Sequence, residues 1–155
     1  HAHFDHILGN NFLLSKTNAE LVVNKYDSEF LTNPFYNLSA YMTKPFYSKP
    51  STKMIDDNTM LEVGGERFVC IHTPGHTPGS SCFYFDNKNI VFTGDTLFKF
   101  SFGRTDFVGG DESLLFESLK KLLSILKDED LCFPGHGESF KFGEVKGWLK
   151  NLLNV

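Results

Sequence analysis

Long apolar runs are missing from this chain of 155 residues: its hydrophobic segments last only a few positions, far short of the roughly 20 needed to cross a bilayer. No membrane role is expected. A basic block is missing too. With 15 Lys and Arg against 19 Asp and Glu the net charge is −4, so nothing is available to neutralise a phosphate backbone, and nucleic acid is excluded as the main partner. Cysteine is scarce and odd in number. Cys70, Cys82 and Cys132 form no Cys-x-x-Cys pair, which excludes a disulfide framework and fits a reducing, cytoplasmic compartment; each sits among apolar neighbours, where a thiol packs as a small hydrophobe. No charged-then-apolar stretch is seen in these residues, so nothing in them is expected to direct secretion; there is also no Gly-x-Ser-x-Gly elbow and no convincing Cys-His pair, so the bare side chains offer no strong nucleophile. Nor is there an initiator Met: the chain opens on His1, from which we expect an upstream segment to be missing.

What is present is concentrated. His1-Ala2-His3-Phe4-Asp5-His6 places three imidazoles and a carboxylate within six residues. His76 follows in Thr-Pro-Gly-His-Thr-Pro-Gly-Ser, Asp95 in Phe-Thr-Gly-Asp-Thr-Leu and His136 in Phe-Pro-Gly-His-Gly-Glu. That makes seven candidate ligands, enough for two metal ions. Residues 1, 3 and 5 of an extended segment would share one side, with His6 turning into a following helix, so that one short loop serves two ions. His76, Asp95 and His136 each adjoin a glycine, which lets backbone approach closely. An imidazole and carboxylate set without thiolate suits divalent cations, zinc best, with iron or manganese as alternatives. A lone His-x-His is more often a surface pair and a lone Asp a turn former, but seven such residues in ligand-friendly loops are hard to explain by packing. His72, four residues before His76, is left out of the set. Pro74 and Gly75 forbid a helix between the two, and a structural role at a strand end is expected for it.

The length fits one domain over residues 1–155, burying roughly 70% of its extended surface. Ile7–Lys16 reads as a short helix and Leu21–Asn24 as a strand. Residues 26–53 carry weak helical periodicity at Glu29–Leu31 and Tyr36–Thr43 before Pro45 and Pro50, as in a variable lid. Short strands then follow at Met60–Val63, Arg67–His72, Ser81–Asp86 and Ile90–Thr93, with turns at Gly64-Gly65 and Asn87-Lys88-Asn89. Asp111 can cap a helix to about Lys127, with Leu115, Leu119, Leu122 and Leu126 on one stripe. Leu131–Phe133 reads as a strand and Gly143–Leu153 as a closing amphipathic helix. The order predicts a mixed α and β fold, a β-meander with helices covering the sheet.

These motifs resemble the successive metal motifs of the metallo-β-lactamase superfamily, and Thr73–Ser80 and Phe92–Phe98 are similar to signatures of its glyoxalase II-like branch. Gly103-Arg104-Thr105-Asp106 with Gly109-Gly110-Asp111 resembles the small single-domain members of that branch. The resemblance implies an αββα sandwich with the metals at one edge, here without the β-rich segment that precedes the His-x-His motif in family members. It implies that His1, His3 and His76 bind a first ion, that Asp5, His6 and His136 bind a second, and that Asp95 bridges them. The implied reaction is hydrolysis of a small thioester such as S-lactoylglutathione by a metal-bridging hydroxide, with Asp5 orienting it.

Two substrate features depart from glyoxalase II proper. Only about one helix follows His136, and Asp106 stands where the family carries an aromatic residue. Arg104 is the expected partner of a substrate carboxylate, against the alternative that it pairs with Asp106 in its own loop. Phe98, Phe100, Phe102 and Phe107 either wall an apolar cleft or join the core. Competing expectations are a mononuclear iron persulfide dioxygenase, which shares the Gly-Arg-Thr-Asp loop, and a truncated non-catalytic domain.

Overall fold

A computed structural model describes residues 1–155. Its N-terminal segment does not stay extended. His3 has φ −68° and ψ 152°, and helix α1 (Phe4–Ile7) begins at the next residue, placing Asp5 and His6 on a helical turn. The expected alternation of residues 1, 3 and 5 therefore holds only for 1 and 3. The helix expected over Ile7–Lys16 is likewise broken: the Leu8 amide closes α1 on the Phe4 carbonyl, and α2 (Asn10–Lys16) restarts from Gly9, whose carbonyl accepts from Leu13. Strand β1 (Val22–Asn24) pairs in parallel with β2 (Lys53–Ile55). Between them lie single 3₁₀ turns at Lys25–Asp27, Glu29–Leu31 and Ser39–Tyr41. The periodicity of Tyr36–Thr43 yields only the last of these, because Leu38 takes a left-handed φ of 70° that stops a helix.

From Met60 the chain builds a sheet. Strands β3 (Met60–Val63), β4 (Glu66–His72), β5 (Ser81–Phe85) and β6 (Ile90–Gly94) are successive antiparallel neighbours, and β7 (Leu97–Phe98) with β8 (Ser101–Phe102) forms a small hairpin beyond them. Helix α3 (Glu112–Ile125) then crosses over, so that β9 (Leu131–Pro134) lies parallel to β6, with β10 (Phe140–Lys141) at the edge before α4 (Phe142–Leu153). The order β10-β9-β6-β5-β4-β3 is thus a meander extended by one parallel crossover, not a meander alone. Asp111 caps α3 through the Leu114 amide, as expected. The helix stops at Ile125 instead of Lys127 because the Lys127 amide is taken by the Asp130 carboxylate.

Strand alternation decides what faces the helices. Ile71, Cys82, Tyr84, Val91 and Cys132 point to one face and meet Leu115, Leu119, Leu122 and Leu126 of the α3 stripe and Val145, Leu149 and Leu153 of α4 in a single core. Full burial of each leucine stabilises by about 1.5–3 kcal/mol. The opposite face carries Phe68, Phe83, Phe85, Phe92 and Phe133, with Phe68 stacked on Phe85 and Phe92 on Phe133 and edge-on contacts from Phe68 to Phe83 and from Phe85 to Phe92, and β1 and β2 lie over part of it. A smaller core of Ala2, Ile7, Val23, Phe30 and Leu31 seats the N-terminal segment.

Since β4, β6 and β9 run in the same direction, their C-terminal ends emerge at one edge of the sheet. His76, Asp95 and His136 follow those three ends. No helix is long and apolar enough to cross a membrane.

Candidate metal centre

The structure brings all seven candidate ligands together at that edge, in three overlapping groups: His1, His3 and His76; His1, His6 and Asp95; and Asp5, His6 and His136. Within each group the ligand atoms lie within 4.8 Å of one another. His3 Nδ1 is 3.0 Å from His76 Nε2, and His6 Nε2 is 3.3 Å from His136 Nε2. Two nitrogens on a tetrahedral zinc, each about 2.0–2.1 Å from the ion, are about 3.3 Å apart, so both pairs have a separation that suits shared coordination. Asp95 sits between the sets: its Oδ2 is 3.5 Å from both His76 and His136 and 4.0 Å from His1, and its Oδ1 is 3.3 Å from His6. The Asp5 carboxylate lies 3.2 Å from His136 and 3.6 Å from His6.

The two sides differ in burial. His3 and His76 are each 3% exposed and Asp95 8%, whereas the His136 side chain is 57% exposed. One set is walled in and the other opens to solvent. Four buried side-chain polar atoms in the whole chain lack a hydrogen-bond partner, and three of them are His1 Nε2, His3 Nε2 and Asp95 Oδ1. Leaving such an atom unpaired costs about 1–3 kcal/mol. His3 turns its Nδ1 to His76, so its Nε2 points away, but His1 Nε2 and Asp95 Oδ1 belong to residues of one ligand group, and an imidazole and carboxylate set left so fits a divalent cation.

Local sequence explains how the ligands are aimed. Gly75 adopts φ 139°, and a Cβ there would lie 2.4 Å from the Leu115 backbone, so only glycine lets the His76 loop lie against α3. The loop is pinned by Asp111 N–H donating to the Gly75 carbonyl and by the Ser118 hydroxyl donating to the Pro74 carbonyl. His76 Nδ1–H donates to the Arg104 carbonyl at 2.6 Å, which leaves the Nε2 lone pair facing the centre. Gly135 is equally constrained: a Cβ there would stand 2.1 Å from Asp95 Oδ1 and 2.7 Å from the His6 ring. Burial, reinforced by the neighbouring His76, lowers the His3 pKa to about 3, and burial lowers that of His76 as well, so both rings are neutral and ready to coordinate. Burial pushes the Asp95 carboxyl up, but the imidazoles of His6, His76 and His136 outweigh it and hold the carboxyl below its ordinary value.

A cavity of about 460 Å³ opens over the centre, lined in part by Leu38, Phe98, Phe102, Arg104 and Phe107. Phe98, Phe102 and Phe107 wall it. Phe100 does not, packing on Trp148 at φ 57°. The Arg104 guanidinium is held by the Asp106 carboxylate through two contacts of 2.6 Å and lies over the Phe107 ring, with its side chain exposed at the cavity mouth. His72 lies outside every ligand group, its Nε2 2.8 Å from the Pro78 carbonyl and its ring stacked on Tyr26.

Sequence reasoning missed two residues in the segment expected to be a lid. Asp27 and Asn37 are fully buried beneath the ligand loop: the Asp27 carboxylate accepts from the Ala2 amide, and the Asn37 carbonyl accepts from the Phe4 amide. No motif flags either one. The only signal was an acid and an amide among aromatic residues.

A mixed sheet thus delivers two histidines and an aspartate from parallel strand ends to an edge cavity, where they meet the N-terminal ligand candidates. The sequence matches the description of the metallo-beta-lactamase superfamily over residues 1–136, and the chain belongs to that superfamily. An uncharacterised protein of Mycobacterium tuberculosis is 34% identical over 154 residues, covering 92% of this chain and 69% of the relative. The probable metallo-hydrolase YqgX of Bacillus subtilis is 31% identical, covering 88% and 65%. Hydroxyacylglutathione hydrolase GloC of Haemophilus influenzae is 29% identical, covering 94% and 70%. Among solved structures, the B3 metallo-beta-lactamase BLEG-1 superposes with a TM-score of 0.89 at 33% identity, covering 95% of this chain and 71% of that one. TTHA1623 in a di-iron-bound form gives 0.82 at 31%, covering 94% and 71%, and ETHE1 from Myxococcus xanthus gives 0.72 at 30%, covering 94% and 57%.

Proposed function

We propose that this chain holds two divalent ions, zinc by preference, and hydrolyses a small thioester of the hydroxyacylglutathione kind. His1, His3 and His76 would hold one ion, Asp5, His6 and His136 the other, with Asp95 shared. The observation that carries this is the convergence of seven imidazole and carboxylate side chains in three overlapping groups, with two buried, unpartnered atoms, His1 Nε2 and Asp95 Oδ1, in the group shared between the two sets. Similarity to the Haemophilus hydroxyacylglutathione hydrolase supports the thioester, and the di-iron-bound neighbour supports two ions.

Such ions supply a water acidic enough to ionise near neutral pH and a Lewis acid for the carbonyl oxygen. The chain's own residues do the rest. Asp5, whose carboxylate lies 3.2 Å from His136 on the open side, would orient the attacking water. The neutral rings of His3 and His76 give up no proton before coordinating. Phe98, Phe102 and Phe107 form an apolar wall for the acyl and thiol portions. Arg104 is the group for a substrate carboxylate, because an exposed ion pair such as the one it makes with Asp106 is weakly held and exchanges its partner readily.

The test is thiol release from S-lactoylglutathione by the zinc-loaded chain. Turnover that a chelator abolishes and that His76→Ala reduces by at least tenfold supports the proposal. One iron per chain with oxygen uptake on glutathione persulfide would move the protein to the dioxygenase reading. Absence of both metal and turnover would leave a non-catalytic domain.

A further inference from the structure

We infer that Asp27 is a positioning residue that joins the two loops of the metal centre, and this rests on the metal-binding reading above. Its side chain is fully buried, and its two oxygens take three donors from two distant parts of the chain. Oδ2 accepts from the Ala2 amide at 3.0 Å and from the Thr77 hydroxyl at 2.8 Å, and Oδ1 accepts from the Gly79 amide at 2.6 Å. Ala2 stands between His1 and His3, and Thr77 follows His76. One carboxylate therefore fixes the backbone on both sides of the group His1, His3 and His76.

The chemistry of the contacts calls for an acid at this position. All three partners are donors here, and a carboxylate is the side chain that offers only acceptors. Asparagine would present an N–H₂ towards an N–H or O–H. The fit is also close: a Cβ on Gly79 would fall 2.6 Å from Asp27, so the loop has no slack to take a longer acid. Charge points the same way. Two dications bring four positive charges, and the ligand set contains only two carboxylates, Asp5 and Asp95. Asp27 adds a third carboxyl group, hydrogen-bonded to Ala2 between His1 and His3 and to Thr77 beside His76. The Ala2 side chain, itself buried in the small core with Phe30 and Leu31, completes a rigid seat for the loop.

The readout is zinc affinity by chelator competition, together with the absorption spectrum of the cobalt-loaded protein and the melting temperature of the metal-free form. Asp27→Asn should weaken zinc binding about 10- to 100-fold, the range for residues that orient ligands, and alter the cobalt spectrum. Asp130→Asn is the control. Asp130 is equally buried and accepts from Tyr84 and the Lys127 amide away from the centre, so it should lower the melting temperature yet leave zinc affinity within about twofold. If Asp27→Asn does not fold, Thr77→Val removes the hydroxyl that donates to Asp27 and also contacts Ser80 Oγ, and should weaken zinc at least about fivefold, the worth of one hydrogen bond. Zinc affinity and a cobalt spectrum unchanged in the folded variant, or a loss matched by Asp130→Asn, would overturn the inference while leaving the metal centre intact. A parent chain that binds no zinc would instead overturn the metal centre and this inference together.

Discussion

Gly103→Ala is the substitution that the geometry of the centre judges most severely. Gly103 is buried just after β8, and a Cβ at that position would lie 1.9 Å from the Asp95 carbonyl oxygen and 3.0 Å from His76 Nδ1. Carbon and carbonyl oxygen come no closer than about 3.3 Å in ordinary contacts, so the β8 loop or the Asp95 backbone must move by about 1.4 Å. Neither can move freely. The loop carries the Arg104 carbonyl that accepts from His76, and Asp95 carries the carboxylate shared by both ligand groups. Overpacking costs about 1–3 kcal/mol, towards the upper end here because a backbone atom must yield. A misplacement of about 1 Å at reacting groups costs about 100-fold in rate. The expected result is therefore a melting temperature lower by several degrees and a fall of about 100-fold in kcat/KM on S-lactoylglutathione, with weaker zinc binding by chelator competition. Gly9→Ala is the matched control, since its Cβ would meet nothing closer than 3.9 Å at an ordinary φ of −76°. Gly103→Ala behaving like Gly9→Ala in zinc affinity and turnover would refute the packing argument.

The remaining predictions concern substrate, pH and thiols. Arg104→Ala should raise KM several-fold with a smaller change in kcat, because the guanidinium lies at the cavity mouth and not at the ligand groups; steady-state kinetics with and without the substrate's carboxylates would show it. In the metal-free protein, His3 is held neutral down to about pH 3, whereas the unfolded chain protonates it below about 6.5. The unfolded state thus binds more protons across that window, so stability is full above pH 6.5 and declines as pH falls, by up to about 1.4 kcal/mol per unit for His3, with His76 acting in the same direction. Urea midpoints should hold level from pH 7.5 to about 6.5 and fall from there to pH 5, and a profile flat throughout would contradict the burial argument. Burial pushes the Cys82 thiol up to about 11 and Cys132 to about 12 and raises Cys70 too, so a thiol reagent at pH 8 should react with none of the three until denaturant is added.

The seven candidate ligands that the structure brings together could be picked out in the sequence because each stands in a short motif with a glycine or another candidate beside it. The stripe Leu115, Leu119, Leu122 and Leu126 gave α3, and alternation gave the strands from Met60 to Thr93, since in both cases one face must be apolar. Less legible was anything decided by distant partners. The parallel seat of β9 beside β6 depends on a crossover that no local pattern encodes. The break between α1 and α2 depends on competition among backbone amides near Leu8 and Gly9. Asp27 and Asn37 acquire their roles only when residues far along the chain fold back to the ligand loop, so in the sequence they look like ordinary turn residues. The Arg104 side chain matches the alternative weighed for it, pairing with Asp106, while its backbone carbonyl takes on the task of orienting His76, which side-chain reasoning does not reach.

The central claim is that side chains from four places in the chain enclose a pair of cations. Anomalous diffraction at the zinc absorption edge, on crystals grown with zinc, tests it directly. Two peaks about 3.5–4 Å apart are expected, one among His1, His3 and His76 and one among Asp5, His6 and His136, with Asp95 reaching both. No anomalous peak among these residues at saturating zinc would contradict it.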